Sequence, residues 1–250
     1  MIHAKDLYRN RSRFIVPVLL GVVLAMPSTI AAVSAADLTG TNRSDMIYGT
    51  GEDDTIHGLG GRDIISAGAG NDKAYGGSGA DKIYGYRGDD LLDGGEGNDY
   101  IQDSYGYNTV YGRGGADTIN ILFVEDTGDQ FGSVGGTIHG GSGPDTISCE
   151  GYSCAIYGEG DNDKIYLQPH DVENVAYGGI DNDYIKGIGQ AGALYGEDGD
   201  DTLVGGAEHH GGAGADRFVC DQYTEIFDYN PAEGDVIENE SLCGGVTMSS

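Results

Sequence analysis

Residues 39–119, cut every nine residues, read TGTNRSDMI, YGTGEDDTI, HGLGGRDII, SAGAGNDKA, YGGSGADKI, YGYRGDDLL, DGGEGNDYI, QDSYGYNTV and YGRGGADTI. Eight of these nine blocks have Asp at position seven, Asn108 being the exception, and eight end in Ile, Leu or Val, Ala74 being the exception. Gly recurs at positions two and five. A fixed short period marks a solenoid, whose units bury a common core only by stacking. Within each unit, Gly makes a tight turn because it accepts positive φ and lets backbones approach closely. The closing aliphatic forms a very short strand and points inward. One such residue per nine is a thin core, so a second source of stability is needed.

Working outward, the charge says what that source must be. The 250 residues carry 13 Lys and Arg against 41 Asp and Glu, a net charge of -28. Such acidity excludes a nucleic-acid binder, which must neutralise phosphates with clustered cations, and a protein that docks on anionic lipid. The 46 Gly are too irregularly placed for a collagen-like chain. Self-repulsion on this scale opposes compaction, so folding calls for counter-charge. A turn built of several Gly and one Asp can aim backbone carbonyls and a carboxylate at one point.

The pattern resembles the RTX (hemolysin-type) calcium-binding nonapeptide repeat over about 180 residues. The closest matches are Gly76-Gly77-Ser78-Gly79-Ala80-Asp81, Gly94-Gly95-Glu96-Gly97-Asn98-Asp99 and Gly140-Gly141-Ser142-Gly143-Pro144-Asp145. The resemblance implies an all-β, right-handed parallel β-roll in which two nonapeptides make one coil, so that loops 18 apart stack on one edge. It implies metal ligation by those Gly triads and by the Asp of each loop.

One edge then carries Asp45, Asp63, Asp81, Asp99 and Asp117, each 18 apart, and the other Asp54, Asp72 and Asp90, then Asn108. A nineteen-residue segment, 120–138, interrupts the register. Taken as one enlarged unit of the second edge, it returns Asp145 to the first, followed by Asp163, Asp183, Asp201 and Asp216. The second edge decays: Cys154 and Gly192 fall in the Asp place, and 166–176 is an irregular loop. The expected cofactor is on the order of 8 to 12 Ca²⁺. Ten coils at ~4.8 Å span roughly 45 Å. Tyr48, Tyr75, Tyr84, Tyr111, Tyr157, Tyr177 and Tyr195 recur at position one and are expected on the sheet surface, stacked across coils. The alternative for them is a sugar-stacking platform.

Residues 1–35 have the order of a secretory signal peptide: basic Lys5, Arg9, Arg11 and Arg13, apolar Phe14 to Met26, then small residues with Val33 and Ala35 at the -3 and -1 positions. The apolar run is short for a membrane span. Removing this segment takes away four cations and one anion, Asp6, and leaves a net charge of -31. The expectation is an exported chain, extracellular or at the cell surface, with no membrane insertion of the mature part. Residues 36–216 form the roll. Residues 217–250, where Asp-x-Phe-Val gives way to Asp-Tyr-Asn-Pro and Gly-Asp-x-Ile, are similar to the tail that follows such repeats and are expected to cap it. Four Cys in an exported chain favour two disulfides. Cys149–Cys154 would replace the missing ion on the second edge, and Cys220–Cys243 would staple the tail.

Catalytic motifs are absent from the sequence: there is no His-Glu-x-x-His and no Gly-x-Ser-x-Gly. His209-His210 is a candidate transition-metal pair, with an exposed loop as the plainer reading. His170-Asp171 is a short match to a Pro-His-Asp/Glu element of alginate epimerases. The leading expectation is a non-catalytic, secreted calcium-binding protein of the surface or matrix. The alternatives are a polysaccharide-binding module and a small polysaccharide-modifying enzyme.

Overall fold

A computed structural model of the chain describes residues 13–15, 34–122, 134–168 and 174–248. Two twelve-stranded, wholly parallel sheets face each other. The chain alternates strictly between them, so each strand pairs with those two before and two after it in sequence. One sheet begins Arg13–Ile15, Asp45–Tyr48, Ile64–Ala69 and ends at Val236–Glu238; the other begins Asp37–Thr39, Thr55–Gly60, Lys73–Ser78 and ends at Gly245–Met248. This is a parallel β-solenoid of about eleven turns, and among the described residues the single helical element is a 3₁₀ turn at Glu240–Leu242.

The nine-residue period produces the core directly. In the first sheet Ile47, Ile65, Ile83, Ile101, Ile119, Ile147, Ile165, Ile185, Leu203 and Phe218 stand in register. Facing them are Leu38, Ile56, Ala74, Leu92, Val110, Ile138, Ile156, Ala176, Leu194 and His209. Nearly all are fully buried. With one or two inward apolar residues per pass the strands hold a narrow seam, and burial of each aliphatic is worth roughly 1.5–3 kcal/mol.

Two findings concern the segments that flank the repeats. The described tail, residues 217–248, stays in the solenoid: Arg217–Val219 pairs with Thr202–Val204 and with Val236–Glu238, so it adds a coil before ending it. Within residues 1–35, Arg13–Ile15 lies parallel to Asp45–Ile47 at the edge of the first sheet. The remainder of the expected signal peptide through residue 33 lies outside the described residues. So do 123–133 of the enlarged unit and 169–173 of the irregular loop, which includes His170 and Asp171.

Candidate metal centre

The turns between sheets form two edges. On the first edge, Asp45, Asp63, Asp81, Asp99, Asp117, Asp145, Asp163, Asp183, Asp201 and Asp216 are all buried, with at most 3% of their surface exposed. They form a ladder. The Asp45 N–H donates to Asp63 Oδ1 at 2.8 Å, and Asp63 donates to Asp81, Asp81 to Asp99 and Asp99 to Asp117, each at 2.7 Å. Asp117 donates to Asp145 across the 28-residue step at 2.7 Å, which returns Asp145 to the first edge as expected. The ladder continues through Asp163, Asp183, Asp201 and Asp216. It runs one rung further than the expected set: Asp216 N–H donates to Asp235 Oδ1 at 2.9 Å. Gly234-Asp235-Val236-Ile237 was the available signal for that rung, hidden by the irregular spacing of the tail.

The second oxygen of these carboxylates has a different fate. From Asp63 to Asp216 on the first edge, Oδ2 is buried with no hydrogen-bond donor, as is Asp45 Oδ1. A buried anionic oxygen without a partner is costly by several kcal/mol. Burial therefore pushes these carboxyls up, opposed by the N–H bond and reinforced by neighbouring Asp: Asp63, Asp99, Asp117, Asp183 and Asp201 to about 7, Asp163 to about 8, Asp145 and Asp216 to about 6. Asp81 is raised for the same reason.

The Gly triads shape the space these oxygens face. A Cβ on Gly94 would stand 2.5 Å from Asp99 Oδ2 and 2.9 Å from the Gly112 carbonyl oxygen of the next coil. The same overlap with the loop carboxylate recurs at Gly76 and Gly140. Carboxylate and carbonyl thus converge where only a residue lacking Cβ leaves room. Gly95 and Gly97 serve the turn itself, at φ +99° and +127°, and Gly77, Gly79, Gly141 and Gly143 repeat them. The second glycine place also admits Leu59, Tyr86, Arg113, Glu159 and Glu197, all at φ between 76° and 82°.

Among the described residues no three His, Cys, Asp or Glu side chains converge on one point. Each Asp-bearing loop buries one carboxylate, so a cation held inside it draws its remaining oxygens largely from backbone carbonyls. That donor set fits Ca²⁺ and contains no soft ligand. The transition-metal reading of His209-His210 fails. The two sit on adjacent residues of the strand Glu208–Ala213 and so face opposite sides of the sheet. His209 is fully buried, against the plainer exposed-loop reading, with Nε2 on the Gly205 carbonyl. Burial lowers its pKa to about 4.

The second edge begins in the same way, with Asp54 N–H on Asp72 Oδ1, Asp72 on Asp90 and Asp90 on Asn108. Burial raises Asp72 to about 7. Beyond Asn108 the edge loses its buried carboxylates. The place that holds Ala67 and Gly85 early in the first sheet holds Asp103, Ile121, Cys149 and Leu167 later, the last three fully buried. The Cys149–Cys154 disulfide joins the glycine and Asp places of one loop. Asn174 is a polar strut that sequence reading missed, taking the Cys154 N–H at 2.7 Å where Asp stands elsewhere. Its preceding loop breaks the nine-residue spacing. Cys220–Cys243 is also formed, and no described cysteine is free.

Outside the second sheet, Tyr111, His139, Tyr157, Tyr177, Tyr195, His210 and Phe227 form one face-to-face stack with centroids 4.4–5.0 Å apart. Arg113 covers the free face of Tyr111 at 4.3 Å. Stacking across coils is thus the fate of five of the expected tyrosines, since His57 and Tyr75 also stack. Their faces are spent on one another, and a sugar ring would meet ring edges.

Fold and edges together define a class: a parallel β-solenoid whose turns hold buried carboxylates for hard cations. The RTX calcium-binding nonapeptide repeat matches in four copies, at residues 39–74, 67–101, 93–120 and 193–209. The chain thus carries RTX calcium-binding nonapeptide repeats across residues 39–209. No curated protein and no solved structure matches it.

Proposed function

We propose that this protein is exported and that calcium outside the cell drives its folding into a non-catalytic component of the surface or matrix. One observation carries this reading: ten consecutive first-edge carboxylates each keep a buried oxygen with no donor. Without counter-charge that column opposes folding; filled with Ca²⁺ it staples every coil to the next. Ions that bind the folded state alone stabilise it by mass action. At ~10 times Kd each site adds about 1.4 kcal/mol. About ten sites then add on the order of 14 kcal/mol, comparable to the whole stability of a typical domain. Extracellular modules commonly bind Ca²⁺ with Kd near 10⁻⁴–10⁻³ M, so the transition falls between cytosolic and extracellular calcium. The basic, apolar and small-residue order of residues 1–35 supports export.

The test is far-UV circular dichroism of the metal-free chain titrated with calcium and then magnesium. A cooperative gain of β signal with calcium alone is expected. A spectrum already fully folded in chelator at pH 8 would mean that the apolar seam and the disulfides suffice without metal, and would end the proposal.

A further inference from the structure

We infer that Asp103, which stands where the repeat has glycine, joins Asp90 in holding a calcium-sized divalent cation at the last step of the second edge that buries a carboxylate. The inference rests on the calcium reading of the loops and extends it to a residue outside the repeat pattern.

Three observations carry it. First, both Oδ2 atoms converge on Gly85: a Cβ there would overlap Asp103 Oδ2 and Asp90 Oδ2 at once. At Gly49, Gly58 and Gly112 the next coil presents a backbone carbonyl oxygen to that spot, from Ala67, Gly76 and Gly140. At Gly85 the incoming oxygen is a carboxylate instead. Second, Asp103 and Asp90 are 1% and 3% exposed, and neither Oδ2 has a hydrogen-bond donor. Each carboxylate is pinned by its other oxygen: Asp103 Oδ1 accepts the Ser104 and Tyr105 N–H groups, and Asp90 Oδ1 accepts Asp72 N–H at 2.8 Å. Two buried anionic oxygens held toward each other repel unless positive charge lies between them.

Third, the charges add up. Consecutive second-edge loops offer two carboxylates per step, Asp54 with Asp72 and Asp72 with Asp90. At the next step Asn108 keeps the strut, taking Asp90 N–H on Oδ1 at 2.9 Å, but lacks the charge. Asp103, five residues earlier, restores it from the opposite side of the turn. Beyond it the same place becomes Ile121, Cys149 and Leu167. Asp103 is therefore the terminal ligand of this column, where the edge changes from ionic to apolar and covalent closure.

The test counts calcium bound per chain, by elemental analysis of the full chain equilibrated in buffered calcium, with circular dichroism as the check on folding. Asp103→Asn is expected to bind one ion fewer than wild type. Asp103→Gly, which installs the residue the repeat has at this place and leaves the turn intact, loses the same ion. Adding Asn108→Asp to Asp103→Gly rebuilds the regular repeat and restores the count. Unchanged counts in both single variants would overturn the inference, leaving Asp90 and Asp103 as an acid pair sharing a proton while the wild type still fills its other sites. A wild-type chain that takes up no calcium would instead sink the reading on which the inference rests.

Discussion

Gly94 and Gly51 offer a test in which one substitution, Gly to Ala, takes opposite signs for a reason visible in the site. Neither residue is at positive φ. Replacing either therefore carries no left-handed penalty and gains about 0.4–1 kcal/mol by restricting the unfolded chain. At Gly51 nothing lies within 4 Å of the added Cβ, so Gly51→Ala is expected to be neutral or stabilising by up to that amount. At Gly94 the Cβ meets Asp99 Oδ2 at 2.5 Å, the Gly112 carbonyl at 2.9 Å and Asp99 Cβ at 3.1 Å. The carboxylate is fixed by its bond from the Asp81 N–H at 2.7 Å. Overpacking of this kind costs about 1–3 kcal/mol. Net destabilisation is then about 1–2 kcal/mol, a factor of roughly 5–30 in the folding equilibrium. The displaced oxygen is the one offered to the cation, so Gly94→Ala also moves the calcium midpoint to higher concentration without changing net charge. Calcium titrations of wild type and both variants by circular dichroism, with thermal melts at fixed calcium, read both effects. A Gly94→Ala midpoint equal to wild type would refute the claim that carboxylate and carbonyl are held at a ligand position.

Three further outcomes are expected. Because the folded ladder holds Asp residues near 6–8 against 3.8 for the free group, the metal-free roll binds extra protons; that stability is complete below 3.8 and lost as pH rises through the folded values. The chelated chain should therefore show more β signal at pH 5 than at pH 8, and calcium affinity should rise with pH over the same window; the opposite slope for the chelated chain would contradict the burial argument. Reducing Cys220–Cys243, which closes a separation of 23 residues, should cost about 3 kcal/mol and loosen the last coil; hydrogen exchange should rise at Arg217–Val219 and stay unchanged around Ile83, and a uniform response would show that the tail is not an independent end. Leu59, 46% exposed at φ 76°, occupies the second glycine place, and Leu59→Gly should stabilise the roll by about 1 kcal/mol in thermal melts; a fall in midpoint would mean that the αL place carries no strain.

The repeat itself was legible because its signal is local. Period nine, the Asp in position seven and the closing aliphatic lead to the inward Ile column and the first-edge ladder without knowledge of any distant contact. The step from Asp117 to Asp145 was also recoverable, because 120–138 counts as one unit of the second edge. What was not legible depended on which residue a coil's neighbour presents. Asp103 looks like a lapse in a glycine place until Gly85 beneath it shows two carboxylates meeting. Asn174 and Asp235 follow irregular loops, and parallel pairing with the preceding coil is what assigns their places. His209 reads as polar and exposed, yet strand register sets it in line with Leu194 and Ile226.

The aromatic positions show the same division. The sequence places tyrosine on the outer face of one strand in several coils, since side chains alternate with period two. Only the stacked sheets, with neighbouring strands about 4.8 Å apart, decide that the rings lie face to face and expose their edges. The amino-acid sequence by itself thus determined the turn chemistry, the period and the sign of the counter-ion, because these belong to single units of nine residues. The tertiary structure alone decided which oxygens are left without donors, where the second edge changes from carboxylate to apolar filling, and how the tail rejoins the sheets. Those outcomes depend on register between coils fifteen to twenty-eight residues apart, and hydrogen bonding between parallel strands is what sets that register.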